Sequence, residues 1–240
     1  MSLAQLAALL ADPTRAAFCG ALLDGRAWTA GELARHAGVA PSTASEHLSR
    51  LIAGGLLAEE RQGRHRYVRL AGPAVATLIE DLTVFAESAA GDAAGGSGPA
   101  PGTLREATRR SAEARARTCY DHLAGRLGVA VADAMLDRGL VSDDAGLALT
   151  GDGLGWLAEQ AIDLPPRAGG RGARPVVRTC LDWTERRTHL GGALGAALCR
   201  TALERAWVQR IGSGRALRVT PDGDRALREL LGLRLEPEAG

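Results

Sequence analysis

The string Arg117-Thr118-Cys119-Tyr120-Asp121 returns later in the chain as Arg178-Thr179-Cys180-Leu181-Asp182. The next residues return too. His122-Leu123-Ala124-Gly125-Arg126-Leu127-Gly128 is answered by His189-Leu190-Gly191-Gly192-Ala193-Leu194-Gly195, after an insertion at 183–188. Leu149-Thr150-Gly151-Asp152-Gly153 is answered by Val219-Thr220-Pro221-Asp222-Gly223. Motifs that recur in order fold into one supersecondary unit twice. Each copy reads as motif, helix, short strand, turn, strand and a final helix opened by Thr-x-Asp-Gly. The copies, at about 104–165 and 175–234, are expected as degenerate winged-helix-like units packed as a pseudo-symmetric pair. Their turns at 142–146 and 210–215 differ in sign, acidic against basic, which argues against duplicated DNA reading.

Ahead of the repeats, residues 88–103 are almost all Gly, Ala, Pro and Ser and can form no apolar face, so a flexible linker is expected. The stretch 165–175 reads as a long loop. The organisation is therefore 1–87, a linker at 88–103, and a duplicated domain at 104–240. With 46% hydrophobic and 24% charged residues, the chain is an ordinary globular one rather than a disordered one. A net charge of +1 advertises neither nucleic acid nor membrane, so only local pattern can locate a DNA surface. No apolar run approaches a spanning helix, and no secretory leader is apparent. Four cysteines are too few for a disulfide scaffold and fit a reducing cytoplasm.

Residues 1–87 read as five helices and a hairpin. Asp12-Pro13 is a helix cap with a first-turn proline. Thr29 and Glu32 form a capping box, and Gly38 ends that helix. Pro41-Ser42 opens the next, carried by Ala44, Leu48 and Leu51 and stopped by Gly54-Gly55. Two strands around Gly63 make a wing, and Val75, Leu78, Ile79, Leu82 and Phe85 come next at helical spacing. The fold class is mainly α, an α+β winged helix-turn-helix followed by the two repeated units.

The Asp12-Pro13-Thr14-Arg15 opening, the Ser42-x-x-Ser45-x-His47-Leu48-x-x-Leu51 helix, and Gly55-Leu56 leading to Gly63-Arg64-x-x-Tyr67-x-x-Leu70 resemble the ArsR/SmtB family of bacterial transcription regulators. Within it the chain is most similar to the cadmium- and lead-responsive CmtR group. The resemblance covers about 70 residues and implies a homodimer, clasped through the first and last helices, that sits on double-stranded operator DNA as a repressor. The family's metal ligands are absent. No cysteine pair stands early in the Ala30-Gly31-Glu32 helix, Arg50 and Gly54 stand where CmtR-like members place cysteines, and residues 73–85 hold no histidine.

Ser42, Thr43, Ser45, Glu46, His47, Ser49 and Arg50 fall off the apolar stripe of the second motif helix and are the candidate base and phosphate contacts. Arg61, Arg64, His65 and Arg66 are the candidate wing contacts. The alternative for both sets is a solvated polar face. Leu3, Leu6 and Leu10 with Val75, Leu78, Ile79, Leu82 and Phe85 are the candidate dimer interface.

In the duplicated domain, Cys119 and His122 lie three apart and would share a face if helical. With Cys180 and His189 they would complete four ligands for a soft divalent metal, zinc- or cadmium-like. Asp121 and Asp182 would ligate directly or orient a histidine. The competing readings are thiol redox sensing, core filling by apolar cysteines with Arg117 and Asp121 as an i,i+4 ion pair, and an organic-ligand pocket lined by rings, among them Tyr120 and Trp183. An effector sensed there, or a protein partner docked there, would control the DNA reader. No Ser/His/Asp order, phosphate loop or His-Glu-x-x-His helix occurs, so no catalytic residues and no enzyme are expected.

Overall fold

A computed structural model describes residues 1–62, 65–93, 103–143, 146–165, 174–212 and 214–234. The chain divides into two units, Met1–Thr83 and Val84–Gly240.

The first unit begins with α1 (Leu3–Leu10), capped reciprocally by Ser2 and Gln5, and α2 (Pro13–Ala21). Asp12 caps α2 by accepting from the Arg15 backbone N–H at 3.0 Å. Arg15 itself turns back: its Nε donates to the Leu9 carbonyl at 2.6 Å and its Nη2 to the Ala8 carbonyl at 3.0 Å. One motif thus starts α2 and satisfies the orphan carbonyls that end α1. A 3-10 turn ends at Gly25, in the left-handed region with φ 75°. Then come β1 (Trp28–Thr29), α3 (Ala30–Ala37), α4 (Pro41–Ala53), β2 (Leu57–Gln62), β3 (His65–Leu70) and α5 (Pro73–Ala93). The Thr29–Glu32 capping box and the left-handed Gly38 stand where the sequence places them. The sheet has one strand more than expected: β1 pairs antiparallel with β3, giving the order β1-β3-β2. Phe18, Leu22, Leu33, Leu48, Leu51, Leu70 and Ile79 are buried in this unit. Ile79 therefore faces inward and leaves the expected dimer stripe. Helix α5 runs to Ala93, into the stretch read as linker, and 94–102 lie outside the described residues.

The second unit opens with α6 (Leu104–Arg115). The first copy is β4 (Arg117–Cys119), β5 (His122–Ala124), α7 (Gly125–Asp137), β6 (Val141–Ser142), β7 (Ala148–Leu149) and α8 (Gly151–Glu159). The second is β8 (Arg178–Leu181), β9 (Thr188–Gly191), α9 (Gly192–Glu204), β10 (Val208–Arg210), β11 (Leu217–Val219) and α10 (Pro221–Leu231). Each copy is hairpin, helix, hairpin, helix, while α6, inside the expected span of the first copy, has no counterpart among the described residues of the second. The Thr-x-Asp-Gly segments have a double task. Thr150 and Thr220 cap α8 and α10 by accepting from Gly153 and Gly223 N–H, while their hydroxyls donate to the carbonyls of Gly139 and Ala206. A Cβ at Gly153 or Gly223 would stand 2.1 or 2.0 Å from a backbone oxygen, which is why glycine recurs there.

The two copies share one core. Leu127, Val131, Met135 and Leu157 from the first and Leu190, Leu194, Leu217 and Leu227 from the second belong to a single buried cluster. The copies also cross over: α7 packs on β9, α9 on β5, and β5 lies against β9.

The motif segment differs from its expected form. Cys119 and His122 are not on a helix, because α6 ends at Arg115 and the two residues face each other as antiparallel partners across the β4–β5 hairpin. Nor do Arg117 and Asp121 form the local ion pair. Arg117 crosses to Asp182 of the other copy at 2.9 Å, both side chains fully buried.

Candidate functional site

On α4, Ser42, Thr43, Glu46, Ser49 and Arg50 are exposed and Ser45 is half-buried, opposite the buried Ala44, Leu48 and Leu51. Several of them bond to near neighbours on the same helix. Ser45 Oγ donates to the Pro41 carbonyl at 3.0 Å, Ser49 Oγ to the Ser45 carbonyl at 2.9 Å, and Arg50 to Glu46 at 2.6 Å. Such short-range bonds on an exposed face exchange readily for an outside partner. His47 differs. Its Nδ1 lies 3.3 Å from Arg15 Nη1 and 3.7 Å from Asp12, and its side chain is only 16% exposed. It ties α4 to the start of α2 rather than standing with the outward residues.

On the wing, Glu59 holds both Arg61 at 3.0 Å and Arg66 at 2.8 Å, and these arginines keep its carboxyl below the ordinary range. Arg64 and the side chain of His65 lie outside the described residues. Along the expected dimer stripe, Leu3 is 82% exposed, Leu82 44% and Phe85 73%, while Leu6, Leu10, Val75 and Leu78 are half-buried. No helix among the described residues is long and apolar enough by itself to cross a membrane.

In the second unit the four expected ligands meet. Hairpin pairing sets Cys119 opposite His122 in one copy and Cys180 opposite His189 in the other, and the crossing of the copies brings the two hairpins together. The donor atoms of all four lie within 4.8 Å of one another, and all four residues are buried. The two Nε2 atoms are 3.1 Å apart. Close backbone approach makes this meeting fit. Gly195 abuts Cβ of His122, and Gly128 abuts Cβ of His189, so each helix offers a glycine to the other copy's histidine.

Behind each histidine stands a carboxylate. His122 Nδ1 is 3.4 Å from Asp121, which Arg174 grips through both oxygens at 2.6 and 2.8 Å. Burial would raise the Asp121 carboxyl, but Arg174 and His122 hold it down at about 2. His189 Nδ1 is 3.4 Å from Asp182 without the alignment of a hydrogen bond. Asp182 accepts from Arg117, from Gly125 N–H at 2.6 Å and from Thr184, and these donors outweigh its burial and keep it ionised. His189 is held neutral, its pKa pushed down by burial and by the facing His122, against the opposing pull of Asp182. A neutral imidazole with an inward Nε2 is the form that binds a cation.

The remaining candidates are placed elsewhere. Trp183 stacks over the Arg117 guanidinium, 4.8 Å from ring to cation, and shields the buried pair. Tyr120, half-buried with φ 55°, forms the hairpin turn between Cys119 and His122. Trp156 and Trp207 pack on the shared core. An apolar hollow of about 790 Å³ between Leu149, Leu154, Leu164 and Val176 has no aromatic side chain among its described lining. Cys19 and Cys199 behave as apolar filler: burial pushes their thiols up to about 11 and about 12. Arg174 and Thr184 escaped sequence reasoning. For Thr184 the only signal is its place in the insertion after the repeated Arg-Thr-Cys-x-Asp string.

Residues 10–60 match the model of a helix-turn-helix domain. Over 235 residues the chain is 37% identical to the uncharacterized HTH-type transcriptional regulator YdfF of Bacillus subtilis, covering 98% of this chain and 99% of that protein. Over 81 residues it is 41% identical to the HTH-type transcriptional regulator CmtR of Mycobacterium tuberculosis, covering 34% of this chain and 68% of that one. Among solved structures, the homodimeric winged helix-turn-helix DNA-binding domain of Mb0332 from Mycobacterium bovis is 31% identical, with 36% and 79% covered and a TM-score of 0.34. The match to YdfF takes in both units, so the duplicated half is shared with a regulator as well. The match to YdfF over the whole chain, with those of the N-terminal unit to CmtR and to the helix-turn-helix domain, places this chain in the ArsR-like winged helix-turn-helix family of HTH-type transcriptional regulators.

Proposed function

We propose that the protein is a non-enzymatic, one-component repressor that acts in the cytoplasm as a homodimer, reads its operator with α4 and the wing, and is controlled by an effector held in the second unit. One observation carries this reading: the buried convergence of Cys119, His122, Cys180 and His189. The N-terminal unit lacks the ligands its relatives use, while the duplicated unit gathers four donors. The exposed Leu3, Leu82 and Phe85 support the dimer. A twofold would set two α4 helices about one DNA turn apart.

The test begins with selection of bound sequences from random duplexes by the full-length protein. An inverted repeat with half-sites about 10 base pairs apart is expected. Affinity for the selected site is then compared for chelator-treated protein, and after zinc, cadmium or peroxide. A change of about 5–150-fold that disappears in Cys119→Ser/Cys180→Ser supports control from this cluster. The same change persisting in that variant overturns it.

A further inference from the structure

We infer that Cys119, His122, Cys180 and His189 form a closed, four-coordinate site for one soft divalent cation of the zinc and cadmium type. This deepens the sensing role proposed above and rests on that reading for its biological meaning, but its chemistry is testable without DNA.

Geometry comes first. With metal–sulfur bonds of about 2.3 Å and metal–nitrogen bonds of about 2.05 Å, a tetrahedral site has donor–donor edges of roughly 3.3–3.8 Å. The donors here already lie within 4.8 Å of one another, with the Nε2 atoms at 3.1 Å. Closing round an ion therefore needs side-chain adjustments rather than a change of fold. Orientation comes second. Asp121 and Asp182 stand behind the Nδ1 atoms, and Arg174 and Arg117 fix those carboxylates. Asp121 thereby orients His122 as in carboxylate–histidine–metal arrangements, while Asp182 faces His189 without a hydrogen bond, and the two Nε2 atoms meet at 3.1 Å.

Charge narrows the choice of ion. Each flanking carboxylate is already balanced by an arginine, and Arg178 stands near His189 as a further cation. A divalent ion cancels the charge of the two thiolates it binds. A trivalent ion would bring more positive charge than the thiolates cancel, which is costly in the interior. Softness then separates the divalent ions: two sulfur and two imidazole donors favour zinc or cadmium over the oxygen-seeking magnesium and calcium. Because the four protein donors fill the coordination shell and are all buried, no open position remains for water or substrate. The ion would tie one copy to the other.

The full-length protein, stripped with chelator, is titrated with zinc against a chromophoric competitor and separately with cobalt(II). One equivalent per chain is expected, with the intense visible bands of tetrahedral cobalt and thiolate-to-cobalt charge transfer. Cys119→Ser/Cys180→Ser should lose this binding, and Cys19→Ala/Cys199→Ala should keep it. Asp121→Asn, which weakens the support of His122 and its own pairing with Arg174 but leaves all four donors in place, should weaken zinc by about 10–100-fold while the spectrum stays tetrahedral.

Zinc-dependent protection from alkylation in the wild-type chain, mapped by peptide mass, reads the site even if the serine variant fails to fold. Protection should fall on Cys119 and Cys180. Failure of wild-type protein to bind zinc or cobalt, an octahedral spectrum, or protection confined to Cys19 and Cys199 would overturn the site. Stoichiometric zinc binding with unchanged operator affinity would uphold the site and remove the sensing role. An operator response to peroxide with no zinc binding would do the reverse.

Discussion

The two units deploy polar side chains in opposite ways. On α4 and the wing, Ser45, Ser49, Arg50, Arg61 and Arg66 bond to near neighbours at the surface. In the duplicated unit, Arg117, Asp182, His122 and His189 are buried, and Arg117, His122 and Gly125 reach partners in the other copy. A surface satisfied only by local bonds can release them to a large partner at little cost, which suits recognition of DNA. Buried groups admit only something small enough to sit among them. The proposed division of labour therefore rests on where the polar atoms are hidden.

This contrast fails if charge in the two units proves equally dispensable. Arg117→Ala should give the largest effect. It leaves Asp182 buried without its cation, at a cost of about 3–5 kcal/mol, visible in denaturant unfolding of the full chain. Loss below about 1 kcal/mol would mean that the pair is solvated. Next, Leu82→Glu/Phe85→Glu puts charge on an exposed apolar row and should convert dimer to monomer in sedimentation with its fold retained by circular dichroism. A persistent dimer would locate the interface elsewhere.

Smaller again, Arg66→Ala should leave stability nearly unchanged and lower the salt slope of operator binding by about 0.9. His47→Ala should weaken binding to all operators alike, since His47 braces α4 against Arg15; a changed sequence preference would make it a base reader. The smallest effect belongs to Glu32→Gln. Backbone and hydroxyl donors of Thr29 hold the Glu32 carboxyl below its ordinary value of 4.5. Its contribution is complete above that value and is lost as pH falls through the lower, folded-state one. The wild-type advantage over Glu32→Gln in thermal unfolding should therefore be present at pH 7 and shrink below about pH 4.5.

Local signals were the legible ones. Asp12, the Thr29–Glu32 box, Gly38 and the Thr-x-Asp-Gly starts each act within four residues, and each stands where the sequence places it. The repeat also made the pairing of the Cys…His segments legible. It hid their geometry, because strands of three residues are too short for alternation to register and Tyr120 turns the hairpin without glycine or asparagine. Arg117 was misassigned for a related reason: Asp121 offered a nearby decoy, while its partner lies 65 residues away. Inward turns such as those of His47 and Ile79 depend on neighbouring helices, which helical spacing alone does not supply.

The packing of β5 against β9 through two copies on one chain has a kinetic consequence. Were the copies separate molecules, their four-residue cluster would assemble by a second-order encounter and fall apart on dilution. Joined in one chain, they meet in a first-order step whose effective concentration is fixed by the connecting segment. The cluster then persists at copy numbers where subunits part. Sequence divergence adds to this, since each half changes without forcing the same change on the other. Asp182 has become the anchor of a buried ion pair, while its counterpart Asp121 is held by Arg174.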